Sequence, residues 1–159
     1  MTDLEVSQKF IDWLGDMWWQ LTDSEARWPM ITSYVTPEEA TFLSGFPRNM
    51  MDAGTTVEEL AEARKMDGDE VAAELKRLAA KGLLNVEHQG DSTLYSLNDS
   101  FFVFLRAAFW PGAKNETAKG TAAHVNKYVL DGWFDQWADV HISGLRSLPI
   151  NKTIGDGHT

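Results

Sequence analysis

Apolar residues recur at three- and four-residue steps from Asp3 to Leu21. Val6, Phe10, Trp13, Leu14, Met17 and Leu21 share one face there, which is the period of an amphipathic helix. Trp18 and Trp19 widen that face sideways. A single stripe suffices to dock a helix on its own domain, so a surface this broad predicts a further partner. The expected partner is a second copy of the chain, with Phe10, Trp13, Met17 and Trp18 as interface candidates in a two-fold dimer. The competing arrangement folds this helix back over its own chain. Trp28-Pro29-Met30 interrupts the period, and the stretch to Val35 reads as a connector.

The middle of the chain carries sharper signals. Thr36-Pro37-Glu38-Glu39 combines a Thr N-cap, a Pro at the first helical position and a Glu at the third, predicting a short helix through about Gly45. Thr56-Val57-Glu58-Glu59 repeats the capping box and opens a helix through about Lys65. Asp67-Gly68-Asp69-Glu70 caps a third helix, in which Val71, Leu75, Leu78 and Ala79 line one face and Gly82 is the stop. Leu83 to Glu87 reads as a strand with Leu84 and Val86 on one face. Gln89-Gly90-Asp91 is a turn, and Thr93 to Leu97 is the returning strand. Helix, helix, turn, helix and two-stranded hairpin is the winged helix-turn-helix plan, and several local rules agree on it.

Asp99-Ser100 can cap a fourth apolar helix, Phe101 to Trp110, ended by Pro111-Gly112. A longer helix is expected from Thr121 to Ala138, with Val125, Val129 and Leu130 inside and Trp133, Phe134 and Trp137 near its end. Leu145 to Ile154 alternates partly, as an edge strand does, with Pro149 where no ladder donor is needed. The fold class is therefore mostly α with a small β-hairpin. The expected segments are residues 1–35 (amphipathic helix and connector), 36–98 (winged helix-turn-helix) and 99–159 (helices and tail).

Composition narrows the function. The chain has 159 residues, 43% hydrophobic and 24% charged, a globular balance. Fourteen Lys and Arg against 24 Asp and Glu give a net charge of −10, a field that disfavours nucleic acid and anionic lipid. The absence of Cys removes disulfides, thiolate zinc and, within this chain, a Cys-ligated iron–sulfur cluster. The acidic start, Met1-Thr2-Asp3-Leu4-Glu5, does not read as a secretory signal. Phe101 to Trp110 is too short to span a bilayer. A cytoplasmic location is expected.

The winged-helix residues also carry a resemblance. Thr36 to Ala40, Thr56 to Ala61 and Leu75 to Leu84 resemble winged-helix domains of the MarR or ArsR type. Phe109-Trp110-Pro111-Gly112, the aromatic run at Trp133 to Trp137 and Leu145 to Ile154 resemble the N-terminal region of certain bacterial ferredoxin-type proteins. In that family a winged-helix region precedes a Cys-rich domain with four-iron–four-sulfur clusters. The resemblance spans roughly residues 30 to 155. It implies a non-catalytic interaction or regulatory module whose partner is a downstream iron–sulfur domain. The clusters would lie outside this chain, and no cluster ligand falls on any position here.

The alternative is a MarR-like DNA-binding regulator, reading DNA through the third helix and the wing. Its candidate contacts are Lys76, Arg77, Lys81 and Gln89. From Asp69 to Lys81, however, Lys76, Arg77 and Lys81 are balanced by Asp69, Glu70 and Glu74. The wing turn, His88 to Ser92, holds no Lys or Arg, whereas a DNA reader neutralises several phosphates. A third reading is a small-ligand sensor lined by the seven tryptophans, although their helical spacing suits core packing better. The four histidines lack the paired spacing of a metal site. Most carboxylates occupy first helical turns, where the dipole favours them. No catalytic residue, no metal and no cofactor is expected in this chain.

Overall fold

The computed structural model describes residues 3–15, 21–99, 103–109 and 116–133. It is mostly helical with one antiparallel hairpin. Helix α1 spans Asp3–Gly15, α2 Arg27–Tyr34, α3 Pro37–Leu43, α4 Val57–Arg64 and α5 Gly68–Ala80. Strands β1 (Leu84–Gln89) and β2 (Ser92–Leu97) follow, then a π-helical turn at Val103–Ala107. Helix α6 (Glu116–Tyr128) runs into a second π-helical turn at Val129–Trp133.

Local chemistry accounts for the central elements. Thr36 and Thr56 each accept from the amide three residues on, and Glu39 and Glu59 each reach back to the cap amide, so both capping boxes are complete. The Asp67 side chain accepts from the Asp69 and Glu70 amides and starts α5. That helix ends at Gly82, whose φ of +81° a residue with a Cβ adopts only with strain. The Gly82 amide donates to the Ala79 carbonyl and the Leu83 amide to the Leu78 carbonyl, which is a Schellman end.

The hairpin pairs Leu84 with Leu97 through to Gln89 with Ser92. Thr55, just before α4, bridges Tyr95 antiparallel, with amide-to-carbonyl distances of 2.9 and 2.8 Å in the two directions. Arg48 bridges Leu97. The edge of β2 away from β1 is thus covered by the chain that leads into α4. Helix α4 packs on α5, and α5 packs on β1.

The flanks depart from the sequence reading in several places. The expected connector at Trp28–Val35 is helix α2. Pro29 sits in its first turn, where a missing N–H leaves no helical bond unmade. Helix α6 begins at Glu116, five residues before the expected Thr121. Leu130, expected inside, is 58% exposed, because the π-helical turn rotates it out of the α6 stripe. Val86 is 39% exposed, because β1 runs past the core beyond Leu84. The described part of the expected helix at Phe101–Trp110 is the π-helical turn. Met17, Trp18, Trp19, Trp110, Phe134, Trp137 and the Leu145–Ile154 tail lie outside the described residues.

One buried cluster runs through all three segments of the chain. It joins Phe10, Ile11 and Leu14 of α1 to Leu43, Leu75, Leu78 and Leu97 of the winged helix and to Phe104, Val125 and Tyr128 beyond it. Helix α1 packs on α3, and α2 packs on α6. A polar seam ties α6 to α2 and to the segment before it. Ser33 Oγ donates to Thr121 Oγ1, Thr121 Oγ1 donates to the Ser33 carbonyl, and the Thr22 amide donates to Tyr128 Oη. Phe10, expected between two copies, is 2% exposed within the single chain. It packs beside the partly buried Trp13, their ring centres 6.0 Å apart.

Candidate functional site

In a winged helix the second helix of the helix-turn-helix motif presents the contact face, here α5, and the hairpin flanks it. The two cations at the C-terminal end of α5, Arg77 and the C-cap Lys81, are already engaged. Arg77 forms a fork on Glu74, with Nε 2.8 Å from Oε2 and Nη2 2.6 Å from Oε1. Its remaining nitrogen, Nη1, donates to Glu39 Oε1 at 2.8 Å. Lys81 Nζ donates to Glu39 Oε2 at 2.6 Å. The ammonium also lies 4.9 Å from the centre of the Tyr34 ring, within cation–π reach.

Glu39 is the centre of this cluster. It sits in the first turn of α3 and is 3% exposed. It accepts from Arg77, from Lys81 and from the Thr36 amide of its own capping box. Burial alone would raise its carboxyl pKa. The hydrogen bonds from Lys81, the Thr36 amide and Arg77 outweigh burial and hold it below the ordinary value. Glu74, then Glu39, push the Arg77 guanidinium further above its already high value. Tyr34 donates its hydroxyl to the Lys81 carbonyl; its own pKa is raised by burial first and by the Glu39 carboxylate second.

The four DNA-contact candidates therefore do not form one set of unpaired side chains. Lys76 is exposed on α5 and makes no ion pair among the described residues. Arg77 and Lys81 converge on Glu39 instead of pointing as free cations. Gln89, at the end of β1, donates to Glu87 within the wing at 2.9 Å. Residues 82–99 contain no Lys or Arg, while Glu87, Asp91 and Asp99 are acidic. The sequence reading assigned Glu39 only its capping role and passed over Tyr34; no spacing rule links either to α5.

Other features offer less chemistry. An open cavity of about 470 Å³ is lined by Asp23, Ser24, Glu25, Ala26, Lys127 and Asp131. Its cation Lys127 is paired with Asp131. His88 Nδ1 lies 3.1 Å from Thr93 Oγ1, and His141 and His158 lie outside the described residues. Among the described residues no group of three or more His, Asp or Glu converges on a metal position. No described helix is long and apolar enough to cross a membrane. No protein-family model matches the sequence, and no curated protein or solved structure is significantly similar to it.

Proposed function

We propose that this chain is a non-catalytic winged-helix module that works through protein contacts, with an iron–sulfur redox domain as the partner that the family resemblance implies. The observation that carries the protein-contact reading is the state of the α5 cations. Arg77 and Lys81 are neutralised by Glu39 and Glu74. Only Lys76 on that helix is left to meet a phosphate, and the wing adds none. DNA readers take most of their affinity from phosphate neutralisation. An α5 and wing in which Lys76 alone is unpaired among their described cations, on a chain of charge −10, suit a protein face instead.

Fluorescence anisotropy of the full chain against a randomised duplex pool, with rounds of selection, tests this reading. The expected result is no enriched sequence and no binding tighter than roughly 10⁻⁴ to 10⁻⁶ M at near-physiological salt. Nanomolar binding to a defined palindrome, lost in Arg77→Ala, would overturn it and establish the DNA-binding regulator. The iron–sulfur association is tested separately by sequencing the natural reading frame beyond Thr159. Closely spaced cysteines are expected there; a stop codon removes that association and leaves the protein-contact module.

A further inference from the structure

Arg77, in the last turn of α5, and Lys81, its C-cap, lie one helical turn apart at the end of the helix that enters the major groove when a winged helix reads DNA. Two such cations could each meet a phosphate. Here a carboxylate from a different helix reaches both of them. Glu39 Oε1 takes the Arg77 Nη1 hydrogen at 2.8 Å, and Oε2 takes the Lys81 ammonium at 2.6 Å. The rest of the guanidinium is forked on Glu74, the geometry that arginine also uses on a phosphate. The Glu39 side chain is 3% exposed, yet that of Arg77 is 51% exposed. Glu39 is held in place by its bond from the Thr36 amide. The anion is fixed and inside; Arg77 is at the surface, Lys81 is half-buried, and both turn inward toward it.

We infer that Glu39, assisted by Glu74, is a specificity-determining residue that excludes nucleic acid from the winged-helix face. Glu74 takes the Arg77 fork and Glu39 takes one further N–H of Arg77 and one of Lys81, so the charges that a phosphodiester backbone would need are already neutralised. The inference deepens the protein-contact reading above and rests on it. A phosphate approaching α5 must displace a carboxylate that is already desolvated and already bonded, and it meets the Glu74 charge as it does so. The face is thereby closed to polyanions while its fold is that of a DNA reader.

The test compares the full-length wild type with Glu39→Gln, Glu74→Gln and the double variant, by anisotropy with a fluorescent duplex. The amide oxygen introduced at position 39 can still accept from Thr36, so the cap is retained. Far-UV circular dichroism and thermal melting check the fold. Glu74→Gln changes a half-buried α5 side chain outside the core and supplies the readout should the position-39 variants not fold.

The double variant frees about two cations, so its log affinity is expected to fall more steeply with log salt, by about 1.8. Binding about tenfold tighter than wild type is expected at ~50 mM salt, and a smaller gain in Glu74→Gln. Glu58→Gln/Glu62→Gln on α4 removes the same two charges without touching Arg77 or Lys81. It is expected to leave the salt slope unchanged. Equal gains in the two double variants, or folded Glu39 and Glu74 variants that bind as the wild type does, would overturn the inference. The wild-type affinity itself tests the protein-contact reading; the ratio of variant to wild type tests this one.

Discussion

Glu39 keeps its charge in a nearly dry position because three donors replace the water it has lost. Lys81, the Thr36 amide and Arg77 together lower its pKa although burial acts the other way. Breaking such a site by removing one partner is costly, since it strands a buried charge. The shift has a consequence for stability against pH. A carboxyl whose folded pKa lies below its unfolded value contributes stability that is fully present above the unfolded value. That contribution is lost as pH falls through the folded value. Glu38 and Asp52 are also lowered, by hydrogen bonds to the Glu38 and Thr36 groups and to Arg48. Asp52 is paired with Arg48 and is shared by wild type and Glu39→Gln, so its effect cancels in the difference; Glu38 feels a small upward push from the Glu39 charge, the least of its causes, which the variant removes. Chemical denaturation from about pH 7 to about pH 3 should show the wild type more stable at the neutral end and converging on Glu39→Gln at the acid end. Parallel curves would mean that the Glu39 carboxyl is not linked to folding.

At the scale of elements, two helices end by the same device with different residues. After α5, Gly82 takes the left-handed position at φ +81°. After α4, Lys65 takes it at φ 56° and ψ 43°, with its amide donating to the Glu62 carbonyl and the Met66 amide to the Ala61 carbonyl. Both are Schellman ends. A left-handed residue with a Cβ costs about 1–2 kcal/mol, partly offset by the extra chain entropy a glycine loses on folding. Lys65→Gly is therefore expected to stabilise the protein by about 0.5–1 kcal/mol, read as a raised urea midpoint at unchanged slope. A lowered midpoint would show that the Lys65 side chain contributes more than its backbone strain.

The same elements show what the sequence made legible. Thr36, Thr56, Asp67 and Gly82 announce boundaries through chemistry within a few residues of themselves, and the structure has those boundaries. Helix α2 gave no such notice. Its N-cap is Ala26, which offers no side-chain cap, and its Pro29 reads as a breaker unless the helix start is already known. It is held by burying Met30, Ile31 and Tyr34; most short helices depend on tertiary packing of this kind. The two π-helical turns likewise leave no mark in a 3.6-residue pattern. In the candidate site, Arg77 and Lys81 were visible as neighbours on one helix. Their anion was not, because Glu39 lies 38 and 42 residues away and already had a local explanation as a cap.

For the whole molecule, the decisive fact is that one core is shared by the winged helix and both flanks. Part of the apolar stripe of α1 is used inside the chain: Phe10, Ile11 and Leu14 are buried, Trp13 is partly buried, and the helix lies on α3. This is the fold-back arrangement for the described part of α1. It makes that helix part of the folding unit of the winged helix. Truncating Phe10 then removes a large ring from a packed interior, where the structure closes only partly over the space. Phe10→Ala is expected to destabilise the chain by about 3–5 kcal/mol. For a chain of this size each kcal/mol shifts the thermal midpoint by roughly 2–4 °C. Because the lost contacts are within one chain, the drop should be the same at every protein concentration, and the mass from light scattering should equal that of the wild type under the same conditions. An interface residue behaves otherwise, since stability drawn from association rises with concentration. A Phe10→Ala variant that kept its midpoint at low concentration but lost mass at high concentration would place Phe10 between copies instead of inside this core.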